Sequence, residues 1–221
     1  MHLGVIPDGN RRYAENNSLS NIKAYRKAKN VIKDIGQKLE DREIEEVSFY
    51  LLSEDNLKRS DGELEDLFRL LDDTITEVAK EFGDRGFIFN WASTKPEALP
   101  DHLREKLQGL EQEFDSGRKK INALISYSGK SDIIQASEKV AENGTDFQAS
   151  NMQSQLQIDS QIDFVIRTGD NPSRECLSGF PIWNASYAEY YHIQKNFPAV
   201  ELEDVEEALE HYQKLRRKKG R

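Results

Sequence analysis

Five short apolar runs, separated by longer stretches of helical period, limit what this chain can fold into more than any other feature. Residues 3–6, 46–52, 87–91, 121–127 and 163–166 read as strands. Helical patterns fill the intervals at about 22–38, from 63 onward, at 97–117 and at 131–143, while 144–161 is polar and loop-like with room for a short helix. The pattern from Glu63 places Leu64, Leu67, Leu70, Leu71, Ile75, Val78 and Ala79 on one face. Strands joined through helices pair in parallel, and helices then cover both faces of the sheet. The expected fold class is therefore α/β, with a mainly parallel central sheet flanked by helices. A length of 221 residues without an internal repeat or a long Gly/Pro/Ser linker suits a single domain over 1–221.

In such a sheet, ligands sit outside the carboxyl ends of the strands. Asp8, Ser53, Asn56, Tyr127 and Arg167 all fall at or just after those ends, so one crevice can gather them. The first strand runs into Ile6-Pro7-Asp8-Gly9-Asn10-Arg11-Arg12-Tyr13. Glycine permits tight backbone geometry there, helix amides attract anions, and arginines grip phosphate bidentately. Asp8 would be repelled by a phosphate unless a divalent cation bridged the two, which points to a Mg²⁺-diphosphate site. The same Asp-Gly-Asn run is also ordinary turn chemistry.

Composition narrows the class. A net charge of −9 argues against a general nucleic-acid binder. Positive charge gathers in Lys214-Leu-Arg-Arg-Lys-Lys-Gly-Arg221, either a solvated run or a contact for a phosphate-bearing ligand or an anionic lipid surface. One cysteine, Cys176, forms no internal disulfide and suits a reducing interior, so the expected location is cytoplasmic. No apolar run approaches the ~20 residues that span a bilayer, and the first residues lack a signal-peptide core. A hydrophobic substrate would have to come to a soluble or peripheral protein. The Asn-x-Ser/Thr triplets at Asn16, Asn143 and Asn184 are read as chance.

Further segments extend the pattern: Tyr50-Leu-Leu-Ser-Glu-Asp-Asn-Leu-Lys-Arg59, Ala123-Leu-Ile-Ser-Tyr-Ser-Gly-Lys130, Asp163-Phe-Val-Ile-Arg-Thr-Gly-Asp170, Leu177-Ser-Gly-Phe-Pro-Ile-Trp183 and Ala188-Glu-Tyr-Tyr191. With the Asp8 loop they resemble, in order and spacing, the cis-prenyltransferases of the undecaprenyl diphosphate synthase family. The resemblance implies a Mg²⁺-dependent transferase in which an allylic diphosphate, such as farnesyl or geranylgeranyl diphosphate, loses its diphosphate. Its C1 is attacked by the double bond of isopentenyl diphosphate, and proton loss leaves a new cis double bond. The product would be a cis-polyprenyl diphosphate, destined for a glycosyl-carrier lipid. By the same resemblance, Asp8 and Asn56 are catalytic, and Asp8 and Glu189 hold the metal. Gly9, the amides of Asn10, Arg11 and Arg12, and the Arg12 and Arg59 side chains hold the allylic diphosphate, with Ser53 beside them. Arg167, Arg174 and Ser178 serve isopentenyl diphosphate. An apolar tunnel between the helix from 63 and the sheet houses the prenyl chain. A homodimer is implied, with Lys218-Lys219-Gly220 reaching the partner's site, and peripheral membrane contact would release product.

Plainer readings stand beside these. Arg12 and Arg59 could be exposed arginines, Ser53 and Asn56 helix caps, and residues 64–78 with Leu51, Leu52 and Phe89 ordinary core. Trp183 and Tyr187 read as core packing. Glu189 lies in an aromatic stretch where an acid is costly without a cation or partner. The chain also departs from the family pattern. Pro7, Arg11 and Tyr13 replace a methionine, a glycine and a tryptophan, and Leu57 replaces a tryptophan. Asn21 and Tyr25 replace an arginine and a histidine of the allylic site, with Arg26 or Lys23 as candidate substitutes. The link 169–178 is about three residues longer than usual, leaving Arg174 as its second arginine. These departures keep open a non-catalytic subunit of a two-component enzyme, or a short-chain or irregular prenyl-coupling relative. Without the resemblance, a phosphate-binding module with no chemistry remains.

Overall fold

Six parallel strands order the molecule in a computed structural model that describes residues 1–39, 43–171 and 176–218. They are β1 (His2–Ile6), β2 (Glu46–Ser53), β3 (Phe87–Ala92), β4 (Lys119–Tyr127), β5 (Phe164–Thr168) and β6 (Glu189–Ile193), in the spatial order β3-β4-β2-β1-β5-β6. The helices are α1 (Asn10–Asn16), α2 (Asn21–Leu39), α3 (Asp61–Gly83), α4 (Asp101–Glu113), α5 (Gly129–Glu142), α6 (Ala149–Gln153) and α7 (Leu202–Lys218). β1 and β5 are buried at every position, as expected of central strands covered on both faces. One core packs α2, α3, α4 and α7 against Leu3, Val5, Phe49, Phe89, Ile121 and Phe164. On the other face Ile6, Tyr50, Leu124 and Val165 meet Phe180. Gly36 lets α2 and α3 close, since a Cβ there would lie 2.6 Å from Cζ of Phe82.

All five expected strands form within two residues of their expected ends. Three elements were not anticipated. β6 reads as an aromatic patch in sequence because it begins with a glutamate, yet it pairs with β5 in full register. α7 hides among charges, although Val205, Ala208, Leu209 and Tyr212 recur at helical spacing on its buried face. α1 turns most of the presumed loop after Gly9 into two turns of helix that bury Ala14. Trp183 is half-buried, as expected, with its indole N–H donating to Gln153 Oε1 at 2.8 Å. Tyr187 is 93% exposed, which corrects its reading as core.

The amino end of the sheet carries a buried polar network. His2 Nε2 lies 2.8 Å from Ser48 Oγ and its Nδ1 2.9 Å from Ser160 Oγ, with Glu46 Oε2 at 3.9 Å. Asn122 donates to Glu46 at 2.6 Å and to Ser48 at 3.0 Å. Burial outweighs the nearby Glu46 and Asp163 carboxylates and holds the imidazole pKa below 6.5. The unfolded chain therefore takes up this proton first on acidification. The stability that neutral His2 contributes is full above its unfolded pKa of about 6.5 and is lost as pH falls through the lowered folded value. Urea midpoints measured from neutral pH down to about 5.5 should fall more steeply for the native chain than for His2→Gln.

Candidate active site

The carboxyl ends of β1, β2 and β5 open on a crevice of about 300 Å³. Asp8, Gly9, Asn10, Arg11, Arg12, Ser53, Asn56, Arg59, Arg167 and Ser178 all line it, with Tyr25 and Tyr50. Most of the residues expected to converge do so. In a chain of net charge −9, four arginines and one carboxylate face this space among the described residues.

Backbone geometry aims the loop. Gly9 has φ +95°, and a Cβ there would sit 2.1 Å from Asn196 Oδ1, so only glycine fits. The Asp8 carbonyl is pinned by the hydroxyl of Thr168 at 2.9 Å and the N–H of Phe197 at 3.0 Å. The N–H groups of Asn10, Arg11 and Arg12 lie in the first turn of α1, where no intrahelical partner is available. The Asp8 carboxylate accepts from Gly9 N–H at 2.6 Å and from Arg167 Nη2 at 2.6 Å, and lies 3.6 Å from Arg12 Nη2.

Arg167 stands inside β5 with its side chain 1% exposed. A buried cation needs partners on every side. Its Nη1 donates to Ser178 Oγ at 2.7 Å and to the Cys176 carbonyl, and Asp8 neutralises it. Ser178 holds φ +49°, unusual for a residue with a Cβ. The Tyr50 hydroxyl donates to the Ser178 carbonyl at 3.3 Å and to that of Tyr127 at 3.0 Å. Burial raises the Tyr50 pKa well above the ordinary phenol range, keeping it a donor.

Ser53 and Asn56 do what the plainer reading allowed. Ser53 N–H donates to Asn56 Oδ1 at 3.1 Å and Asn56 N–H to Ser53 Oγ at 3.3 Å, a reciprocal cap on the short turn Glu54–Lys58. Both still border the crevice, and the cap leaves the Asn56 amide nitrogen as the donor it can offer. Arg59 is half-buried on the wall and makes no ion pair among the described residues. Arg11 is largely exposed and lies 3.5 Å from Glu63.

Two expected members lie elsewhere. Tyr127 is fully buried and donates to Asp132 at 2.6 Å, because the end of β4 turns toward α5 rather than the crevice. Glu189 begins β6, where the register sets it opposite Phe164, while Arg167 faces His192 three residues further on. That register puts Glu189 about 10 Å down the sheet from the Arg167 level. Glu189 is absent from the crevice lining. Arg174 lies outside the described residues, as do Lys219 and Gly220. Of the departures, Tyr25 lines the crevice, and Asn21 borders a small adjoining cavity with Arg59, Glu63 and Asp66. Lys23 and Arg26 are exposed and line neither space.

An apolar cavity of about 70 Å³ continues from the crevice between α2, α3 and the sheet. Ala28, Ile32, Leu70, Leu71, Ile75 and Val78 line it, and Pro7, Asn10, Tyr25, Leu51, Leu52 and Leu67 border both spaces. The sequence profile of the undecaprenyl diphosphate synthase family matches residues 6–220. The chain belongs to this family. It is 28% identical to a tritrans,polycis-undecaprenyl-diphosphate synthase (geranylgeranyl-diphosphate specific) of Pyrobaculum aerophilum, over all of this chain and 95% of that one. It is 27% identical to an isoprenyl transferase of Campylobacter jejuni, over all of this chain and 98% of that one. Two crystal structures share the fold at 24% identity, each covering 96% of this chain and 94% of the other. A probable undecaprenyl diphosphate synthase from Campylobacter jejuni has a TM-score of 0.81, and lavandulyl diphosphate synthase from Lavandula x intermedia, in complex with dimethylallyl diphosphate, one of 0.86. Among the described residues no helix is long and apolar enough to cross a membrane.

The ion pair between Asp8 and Arg167 gives Asp8 a structural role. Asp8→Ala strands a buried guanidinium and is expected to cost on the order of 3 kcal/mol of stability, and Asp8→Asn, which keeps an acceptor oxygen but not the counter-charge, is expected to cost somewhat less. Thermal melting of the two variants checks this.

Proposed function

We propose that this chain condenses isopentenyl diphosphate with an allylic diphosphate, such as farnesyl or geranylgeranyl diphosphate, and elongates it into a cis-polyprenyl diphosphate for a glycosyl-carrier lipid. The observation that carries the reading is the continuity between an arginine-lined crevice and an apolar cavity: a diphosphate head and a prenyl tail need those two surroundings side by side. The names of the relatives from Pyrobaculum aerophilum and Campylobacter jejuni support it.

The chemistry follows from the wall. Gly9, the first-turn amides of α1, Arg12 and Arg59 receive the allylic diphosphate, with Arg11 and Ser53 at the rim. Arg167, oriented by Ser178, faces the isopentenyl diphosphate, and Arg174 is assigned there by resemblance alone. Positive charge fixed before reaction stabilises the negative charge that develops on the departing diphosphate. The Asn56 amide, held by Ser53, orients substrate beside Asp8. The apolar cavity keeps water from the cationic carbon until a proton is lost and the new double bond closes.

Asp8 suits Mg²⁺, an ion that takes one or two carboxylates together with substrate phosphates rather than a cage of protein ligands. Among the described residues no cluster of three His, Cys, Asp or Glu exists to hold a metal, and Glu189 is not proposed as a second ligand. When bound, the ion would neutralise charge on the leaving diphosphate. We place the reaction in the cytoplasm, in a homodimer with peripheral membrane contact for product release. The exposed Tyr187, Ile134 and Phe147 supply apolar surface for such contacts.

The purified chain, Mg²⁺, radiolabelled isopentenyl diphosphate and allylic primers of several lengths test the reading. Elongated product is expected, and Asp8→Asn should reduce its formation on the order of a thousandfold. Inactivity alone with activation of a second chain would identify a non-catalytic subunit, a reading favoured by Asn21 and Tyr25. Asn21→Arg restores a cation next to Arg59. It should lower the KM for the primer roughly tenfold and leave that for isopentenyl diphosphate nearly unchanged, as steady-state kinetics would show.

A further inference from the structure

Behind Arg12 stands a carboxylate that borders no part of the crevice. Asp170 follows Gly169 at the end of β5, and the Gly169 N–H bonds to the carbonyls of Ile193 at 3.2 Å and Lys195 at 2.8 Å, which fixes the start of the turn. Asp170 Oδ1 lies 3.1 Å from Arg12 Nε. Its Oδ2 accepts from Asn196 Nδ2 at 2.8 Å and from Asn16 Nδ2 at 3.5 Å. Asn196 is buried and presses against Gly9, so one side chain braces both the anion-seeking loop and Asp170. Arg12 lines the crevice and Asp170 does not.

We propose that Asp170, seated by Asn196, is a positioning residue that aims the Arg12 guanidinium into the crevice and thereby sets affinity for the allylic diphosphate. The inference rests on the function proposed above. A guanidinium is a rigid planar fork, so a carboxylate at Nε leaves the edge formed by the two Nη atoms for another anion. Without Asp170, the carboxylate still within reach of Arg12 among the described residues is Asp8, at 3.6 Å. Arg12 would then turn toward an acid already committed to Arg167 and Gly9. An opposing effect must be weighed, because Asp170 is itself negative and would repel a diphosphate. It lies behind Arg12 and is 37% exposed, so solvent and salt screen that repulsion, while the lost arginine contact is direct. Weaker primer binding is therefore the net expectation on removing it.

Asp170→Ala, Asp170→Asn, Arg12→Ala and the double variant Asp170→Ala/Arg12→Ala test the assignment. Steady-state kinetics would read KM for farnesyl diphosphate and isopentenyl diphosphate, and calorimetry would read farnesyl diphosphate binding without turnover. Asp170→Ala should weaken farnesyl diphosphate about tenfold in both measurements and change the KM for isopentenyl diphosphate by less than about twofold. Asp170→Asn should fall between, because its amide oxygen still accepts from Nε. In the Arg12→Ala background the Asp170→Ala effect should vanish, as required of a residue acting through Arg12. Unchanged or tighter farnesyl diphosphate binding, equal weakening of both substrates, or a full effect without Arg12 would overturn the assignment. If Asp170→Ala fails to fold by circular dichroism, Asp170→Asn with and without Arg12 makes the same comparison. Should the native chain bind farnesyl diphosphate but form no product, the proposed catalysis fails while the calorimetric comparison still decides the role of Asp170.

Discussion

The ion pair between Asp8 and Arg167, 2.6 Å across, holds the working end of the sheet together. It joins the loop after β1 to the interior of β5, and each partner needs the other. Arg167 would be a buried cation without a counter-charge, and its guanidinium keeps the Asp8 carboxylate facing the crevice. Ser178 and the Cys176 carbonyl accept from the other arm of the guanidinium, and Gly9 N–H donates to the carboxylate.

Beyond that pair, charge alternates from Asp170, behind the wall, to Arg12, Asp8 and Arg167 on it. Arg59 stands outside this series, the one lining arginine with no acid in ion-pair contact among the described residues. The distribution reconciles an acidic protein with an anion site. The excess negative charge is carried elsewhere, while the crevice concentrates guanidinium groups where the strand ends bring them together.

Most of this site could be read from sequence because its members follow strand ends, and strand ends are where parallel sheets present polar groups. Asp8, Ser53, Asn56 and Arg167 line the crevice as that rule expects, while Arg12, Arg59 and Ser178, which line it too, were assigned by resemblance. The rule fails where face and register decide. Tyr127 satisfies it but points to the wrong face, and Glu189 was placed by resemblance before β6 and its register were known. β6 and α7 were missed since charged and aromatic residues obscure their periods and tertiary pairing supplies much of their stability. Asp170 and Asn196 are 26 residues apart, and only the pairing of β5 with β6 brings them into contact. No local signal could have joined them.

Six residues form a common partition between the crevice and the apolar cavity, and this partition constrains how the protein can change. A substitution at Pro7, Asn10, Tyr25, Leu51, Leu52 or Leu67 alters head-group and tail environments at once, so selection on one property drags the other with it. Ala28, Ile32, Thr74, Ile75 and Val78 touch the tail cavity alone. On the proposed function, substitutions there would alter the room for a prenyl tail without touching the charged lining of the crevice.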